Sequence, residues 1–158
     1  MATVSISNLL EAWRDAERRW ERRSTTDDVR SAAIVVIEAY VAYQSATLPT
    51  GEFILVTDND HVYVAATAGV ADVLGYAPPD LVGMNLHDIA APDMQDAAEA
   101  RWTQFLVEGR QDGRFQLRSR DGGPVWLHYQ ARAHHPVAGF HVSRLWLDRV
   151  AGAIRAEN

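Results

Sequence analysis

The first 47 residues follow a helical pattern of apolar and polar positions. Apolar side chains recur every three or four residues at Leu9, Trp13, Ala16 and Trp20, with arginines and acids between them. This spacing predicts an amphipathic helix over residues 8–23. A wider apolar stripe over residues 29–44 predicts a second helix that begins near Asp27, where hydroxyl and carboxylate side chains can cap it. We expect an αα-hairpin that packs on a further surface.

From Gly51 onward the apolar residues fall into short runs or alternate with period two, which is typical of β-strands. The pattern predicts two strands, short helical turns, one long helix and three further strands, at residues 52–57, 61–65, 68–74, 79–82, 91–107, 114–120, 125–133 and 140–150. Pro92 suits the first position of the long helix, and Gly109 is expected to end that helix.

Composition changes at the same place as the pattern. The first 47 residues contain neither glycine nor proline, whereas all ten glycines and all six prolines follow them. We therefore expect an N-terminal helical segment over residues 1–47, a domain over residues 48–150 and a C-terminal tail over residues 151–158. A start at Met1 with a capped helix soon after is what we expect of a natural N-terminus.

Short motifs in the second segment occur in the order found in PAS domains. They are Leu74-Gly75-Tyr76 and Pro79-Asp80-Leu81-Val82-Gly83 between the short helices, Ala91-Pro92-Asp93 at the long helix, and Arg120-Asp121-Gly122 with Val125-Trp126 in a hairpin. Gly75 and Gly83 stand where compact turns reverse direction, which suits a residue that tolerates positive φ. Two positions depart from the family pattern. Thr67 stands where the family usually has Asn just before the first short helix, and Gly69 stands where the family has the small residue that follows. The resemblance covers about two thirds of the chain.

This resemblance implies an α+β fold, with a PAS-like five-stranded antiparallel sheet that carries short helices and one long helix on one face. The αα-hairpin precedes this sheet. Similar proteins use the space between sheet and helices for small ligands or cofactors, and many dimerise through helices before the first strand. The resemblance therefore implies a sensory or signal-transduction module that binds a small ligand or a partner protein.

The residues disfavour the best-characterised cofactors of PAS domains. Haem-binding members carry a histidine on the long helix, but here Ala98 and Glu99 stand near that position and no histidine lies between Asp88 and Leu127. Flavin that forms a cysteine adduct is disfavoured too, because the chain has no cysteine. The sequence leaves the cofactor unassigned.

Apolar and aromatic residues are the candidates to line a pocket between the long helix and the sheet. They are Ala98, Trp102, Phe105, Phe115, Leu117, Leu127 and Tyr129. A filled hydrophobic core is the simpler interpretation of the same residues. In that case the domain is a pure protein-interaction module without a ligand, and both alternatives stay open.

The excess apolar surface of the two helices predicts a homodimer interface, for which the candidates are Leu9, Trp13, Trp20, Val36 and Tyr40. No output domain follows the PAS-like segment in this sequence, so a signal is expected to leave through the hairpin or a partner protein. In the favoured mechanism, a ligand beneath Trp102 changes how the N-terminal helices pack across the dimer.

No metal site and no catalytic residue are predicted. The histidines that can approach each other across the last hairpin are His134, His135 and His141, with His128 further along the same strand, but no carboxylate stands at a matching ligand spacing. A small cone-shaped acid/base enzyme is the rival class. It is disfavoured because Asp58, Asp60, Asp112 and Asp121 lie in predicted turns, and no Ser-His-Asp, Walker or dinucleotide motif is present.

Charge and composition argue against nucleic acid and membrane partners. The net charge is −6, and the arginine pairs at residues 18–19 and 22–23 alternate with acids that can form ion pairs with them. No run of about 18 apolar residues occurs, and the N-terminus lacks the pattern of a signal peptide. We expect a cytoplasmic protein, and the use of arginine for all fifteen basic residues suggests a bacterial source.

Overall fold

The computed structural model describes residues 4–23 and 28–149, with every side chain in these ranges except those of Asp93, Gln95 and Asp96. The predicted tail at residues 151–158 and the expected helix start at Asp27 lie outside the described residues. The helices are α1 (Ile6–Glu21), α2 (Val29–Thr47), α3 (Val70–Leu74), α4 (Pro78–Leu81), α5 (Leu86–Ile89), a 3₁₀ turn (Pro92–Met94) and α6 (Gln95–Glu108). The strands are β1 (Glu52–Asp58), β2 (Tyr63–Ala66), β3 (Arg110–Arg118), β4 (Pro124–Arg132) and β5 (Phe140–Leu147).

The five strands form one antiparallel sheet in the order β2-β1-β5-β4-β3. The first and last strands are therefore neighbours, and they pair from Glu52 opposite Trp146 to Asp58 opposite Phe140. The helices from α3 to α6 connect β2 to β3 and so cross one face of the sheet. The α+β class and the five-stranded antiparallel sheet predicted from the sequence are confirmed.

The sheet separates two hydrophobic cores, because successive side chains of a strand point to opposite faces. On β1, Phe53 and Leu55 pack in the core beneath helices α3 to α6. Their neighbours Ile54 and Val56 pack in the second core, which includes the buried residues of α1 and α2. The further surface expected for the αα-hairpin is therefore the outer face of the protein's own sheet.

Both long N-terminal helices begin at a side-chain cap. The Ser5 hydroxyl accepts a hydrogen bond from the backbone N–H of Asn8 in α1. The Asp28 carboxylate accepts hydrogen bonds from the backbone N–H groups of Arg30 at 3.0 Å and Ser31 at 3.3 Å, just inside α2. These bonds satisfy donors that have no partner within the first helical turn.

Local differences from the sequence prediction have local causes. Helix α5 has no counterpart in the sequence prediction. It is a single turn that begins at a reciprocal capping box between Asn85 and Asp88. Strand β3 begins at Arg110, so Asp112 lies opposite Gln130 in the sheet and not in a turn as expected. The long helix begins at Gln95, after a 3₁₀ turn that contains Pro92.

Thr67 and Gly69, the two departures from the family pattern, each have a defined role. The Thr67 hydroxyl accepts a hydrogen bond from the backbone N–H of Ile54 at 2.9 Å, and the Thr67 N–H donates to the Ile54 carbonyl at 3.0 Å. A Cβ atom at Gly69 would lie 2.8 Å from the backbone oxygen of Glu52. The positive φ predicted for Gly75 and Gly83 is confirmed, at 80° and 94°.

Within the described ranges, no helix combines the length and the apolar composition that crossing a membrane requires.

Candidate functional site

A cavity of about 100 Å³ lies between α6 and the sheet. Its wall is mainly apolar and aromatic, and it is formed by Leu55, Thr57, Tyr63, Leu86, Ala98, Arg101, Trp102, Phe105, Gln111, Phe115, Leu117, Tyr129, Ala131, Ser143 and Leu145. Pockets for drug-sized ligands usually have volumes of about 300–1,000 Å³. The space therefore suits a ligand of a few non-hydrogen atoms, and a flavin or haem would require α6 to move away from the sheet.

Polar groups gather at one end of the cavity. The Tyr129 hydroxyl donates a hydrogen bond to Gln111 Oε1 at 2.8 Å, and the Gln111 side-chain amide donates to the Arg101 carbonyl at 3.2 Å. The Arg101 guanidinium donates in turn to the backbone oxygen of Arg114. Burial raises the pKa of Tyr129, so its hydroxyl stays protonated at neutral pH. This end can orient a ligand through hydrogen bonds.

The structure brings most of the predicted pocket residues together. Ala98, Trp102 and Phe105 reach the cavity from α6, whereas Phe115, Leu117 and Tyr129 reach it from β3 and β4. Leu127 is not part of the wall. It is fully buried in the core beneath the helices and pairs with Phe115 and Leu147 on the neighbouring strands.

Trp102 connects this cavity to two histidines. Its ring lies 4.2 Å from the His61 ring and 5.3 Å from the His141 ring, measured between centroids and in edge-to-face arrangement. The same ring packs on Phe105 at 5.8 Å. A change in the position of Trp102 would therefore displace both the cavity wall and the two histidine rings.

His61, His87 and Glu99 form a cluster that the sequence reasoning missed. His61 Nδ1 lies 3.2 Å from His87 Nε2, and Glu99 Oε2 lies 3.4 Å from His87 Nε2 and 3.9 Å from His61 Nδ1. Burial lowers the pKa of His61, while the nearby Glu99 carboxylate acts in the opposite direction. The three residues belong to a turn, a short helix and a long helix, so no local spacing could reveal them.

The histidines of the last hairpin separate into three groups. His134 and His141 approach each other as predicted, with ring centroids 4.8 Å apart and a hydrogen bond of 3.0 Å from the His134 N–H to His141 Nδ1. His135 packs instead on Tyr40, with 5.3 Å between ring centroids. His128 stacks on Trp146 and lies 3.4 Å from Asp148. The sequence predicts no metal site at these hairpin histidines, and the group of two histidines and a carboxylate that lie together is formed by His61, His87 and Glu99 instead.

The residues predicted for a dimer interface have different degrees of exposure. Val36 and Tyr40 are buried, at 1% and 5% exposure, because they pack on the protein's own sheet. This corrects the expectation for these two residues, since they offer no surface to a second copy. Leu9, Trp13 and Trp20 lie on α1 and are only partly buried. They stay candidates for an interface.

The acids considered for catalysis have structural contacts. Asp58 accepts hydrogen bonds from the N–H groups of Asp60 and Val62 and forms an ion pair with Arg30 at 3.3 Å. Asp121 accepts a hydrogen bond from the Gly123 N–H in the turn between β3 and β4. Neither Asp58 nor Asp121 contributes to the cavity wall. These contacts are typical of turn-forming residues.

A wider groove lies on the outer face of the sheet, beside α2. It has a volume of about 620 Å³ and is lined by Tyr40, Gln44, Ile54, Arg110, Gln111, Asp112, Gln130, Ala131, Arg132, His135, Val142 and Arg144. One of its arginines, Arg144, is held by Glu52 through three hydrogen bonds. The groove is more polar than the cavity under α6 and is open to solvent.

The fold is of the α+β class, with a five-stranded antiparallel sheet whose β2-to-β3 connection folds over a small cavity. The family model described as the PAS fold matches residues 61–143. This is more than half of the chain, and the protein therefore belongs to the PAS fold family. PAS domains are generally sensory or signalling modules, which is the functional class of this chain.

One solved structure similar to this protein is that of a PAS domain of a protein from Colwellia psychrerythraea. The two share 14% sequence identity and superpose with a TM-score of 0.59, over 70% of this chain and 96% of the other. At this identity the likeness concerns the fold alone. No curated protein matches this sequence.

Proposed function

We propose that this PAS domain senses a small, largely apolar molecule that binds in the cavity beneath α6. The observation that supports this function best is the cavity itself, which has an apolar wall and one hydrogen-bonding end. Its size favours a ligand of a few non-hydrogen atoms. Such a ligand would contact Trp102 and Phe105 on one side and accept or donate a hydrogen bond near Tyr129 and Gln111.

The sheet offers a direct route from the cavity to the N-terminal hairpin. On β1, Leu55 and Thr57 line the cavity, whereas the intervening Val56 packs in the core with α2. On β5, Ser143 lines the cavity and the adjacent Val142 packs in the same α2 core. Because packed interiors transmit small displacements, a ligand that shifts these strands would also bias the position of the hairpin.

Filling the cavity is expected to abolish ligand binding. Ala98 is 4% exposed and lines the cavity, so the variant Ala98→Leu places an isobutyl group in the space that the ligand would occupy. The matched control is Ala97→Leu, which makes the same change at an exposed position of α6. Native mass spectrometry of the proteins purified from their expression host should show a retained small mass in the wild type and in the control, and none in Ala98→Leu.

The opposite outcome favours the alternative function, a protein-interaction module with a filled core. Wild-type protein that carries no small molecule, or Ala98→Leu protein that retains it, would contradict the proposed ligand site. The open groove beside α2, with Arg110 and Arg132 on its wall, is the observation that favours an acidic protein partner in that case.

We also propose that the protein forms a homodimer through α1. Among the described residues, the exposed large apolar side chains are Val4, Ile6, Val29, Val35, Val82, Val107 and Leu147. More than half of them lie on or beside the two N-terminal helices. Leu9 and Trp13 extend the α1 part of this surface, and covering it would remove apolar area from water.

A charge on α1 is therefore expected to dissociate the dimer. The variant Leu9→Arg should behave as a monomer in light scattering of the full chain, at a concentration where the wild type has the mass of two chains. Val107→Arg introduces the same charge at a side chain that is 83% exposed on α6, and it should stay dimeric. A monomeric wild type, or a Leu9→Arg variant that dimerises equally well, would rule out this interface.

A further inference from the structure

We infer that His61, His87 and Glu99 form a binding site for a divalent transition-metal cation, with Zn²⁺ as the best match. The three distances between His61 Nδ1, His87 Nε2 and Glu99 Oε2 are 3.2, 3.4 and 3.9 Å. A triangle with these sides contains a point about 2.0 Å from every corner, which lies within the usual range of zinc–nitrogen and zinc–oxygen bond lengths. One cation can therefore contact all three atoms with little movement of the protein.

The two histidine segments are held together by backbone and side-chain hydrogen bonds. The Leu86 N–H donates to the His61 carbonyl at 2.8 Å, and the Asn85 side-chain amide donates to the Asp60 carbonyl at 3.0 Å. The Asn85 oxygen also accepts from the backbone N–H of His87. His61 itself has a φ of 67°, which is uncommon for a residue with a side chain. These bonds hold the two histidine-bearing segments side by side without a cation.

Glu99 supplies the adjustable ligand. Its side chain is 63% exposed on α6, whereas the side chains of His61 and His87 are 10% and 37% exposed. A carboxylate on a solvent-facing helix can rotate to complete the coordination at small cost. Two imidazoles and one carboxylate are a ligand set used by zinc, and three protein ligands leave one position for water or another molecule.

A cation bound at this site would link three elements that are far apart in the chain. The β1–β2 turn carries His61, α5 carries His87 and α6 carries Glu99, so a bound cation ties α6 to the other two. Trp102 lies one turn further along α6 and packs against the His61 ring. Metal binding therefore stiffens the helix that covers the cavity. Metal binding at this cluster does not require a ligand in that cavity.

The test is isothermal titration calorimetry, in which Zn²⁺ alone is added to the metal-free chain of 158 residues. We expect one Zn²⁺ per chain, and an affinity reduced by about tenfold or more in His87→Ala and in Glu99→Gln, each of which removes one ligand. Both substitutions are at positions with exposed surface, so the variants are expected to fold. Glu108→Gln at the other end of α6 and His134→Ala in the last hairpin are the matched controls, and both should bind as the wild type does.

Three results would overturn the site. The first is a wild type that binds no Zn²⁺ at about 100 µM, in which case the contact between His61 and His87 is only a hydrogen bond. The second is unchanged affinity in both His87→Ala and Glu99→Gln. The third is loss of binding in His134→Ala, which would place the cation at the pair formed by His134 and His141.

Discussion

Replacing Ile37 with alanine is expected to lower the free energy of unfolding by about 2–5 kcal/mol, the usual cost of removing a large aliphatic side chain from a core. Ile37 is fully buried at the centre of α2, in the core formed with Ile54 and Val142 of the sheet. Because a domain of this size has a total stability of about 5–15 kcal/mol, the change should be large in a urea unfolding curve.

The control for this experiment lies two residues away on the same helix. Val35 is 53% exposed, and Val35→Ala is expected to change stability by less than about 0.5 kcal/mol. Equal, small effects at both positions would mean that the hairpin does not contribute to the stability of the folded sheet. The comparison thus tests whether residues 1–47 form a separate unit, as their composition predicts, or an integral layer of the domain.

The second large effect concerns the stability of the protein in mild acid. His141 is 2% exposed, and burial, together with the neighbouring His134, lowers its pKa to about 4. The His134 N–H donates to His141 Nδ1, and His141 Nε2 lies 2.8 Å from Asn59 Oδ1. A proton on Nδ1 would displace the first of these bonds. The folded protein therefore holds this imidazole neutral.

The direction of the pH dependence follows from this difference in pKa. In the unfolded chain a histidine has a pKa of about 6.5, so the unfolded state binds a proton first as the pH falls. Between pH 6.5 and 4, this one group should lower the free energy of unfolding by up to about 1.4 kcal/mol per pH unit. Above pH 6.5 neither state is protonated at His141, and the effect disappears.

The variant His141→Asn isolates this contribution, because asparagine keeps a hydrogen-bond acceptor and cannot take up the proton. Burial also lowers the pKa values of His61 and His135. The free energy of unfolding of the wild type should therefore fall with decreasing pH more steeply than one histidine alone would cause. Urea unfolding at several pH values, with a chelator present, should give a shallower slope for His141→Asn by about one proton. Parallel curves for the two proteins would contradict the burial of a neutral His141.

Much of the site could be predicted because periodicity assigns a side chain to one face of its element. The spacing of Ala98, Trp102 and Phe105 places them on one side of a helix, and the alternation of Phe115 and Leu117 places them on one side of a strand. Leu127 has the correct orientation but lies deeper in the core than the cavity. Periodicity defines the direction of a side chain, and it contains no information on depth.

The αα-hairpin, the order of the five strands and the long helix, and the apolar face of α6 were determined by the sequence itself, because each depends on local spacing. Three features were decided only by the tertiary structure. They are the burial of Val36 and Tyr40 on the sheet, the small volume of the cavity, and the meeting of His61, His87 and Glu99. Each of these depends on the distance between elements that are far apart in the chain. Such distances result from the packing of the whole fold, and the local pattern of apolar and polar residues does not predict them.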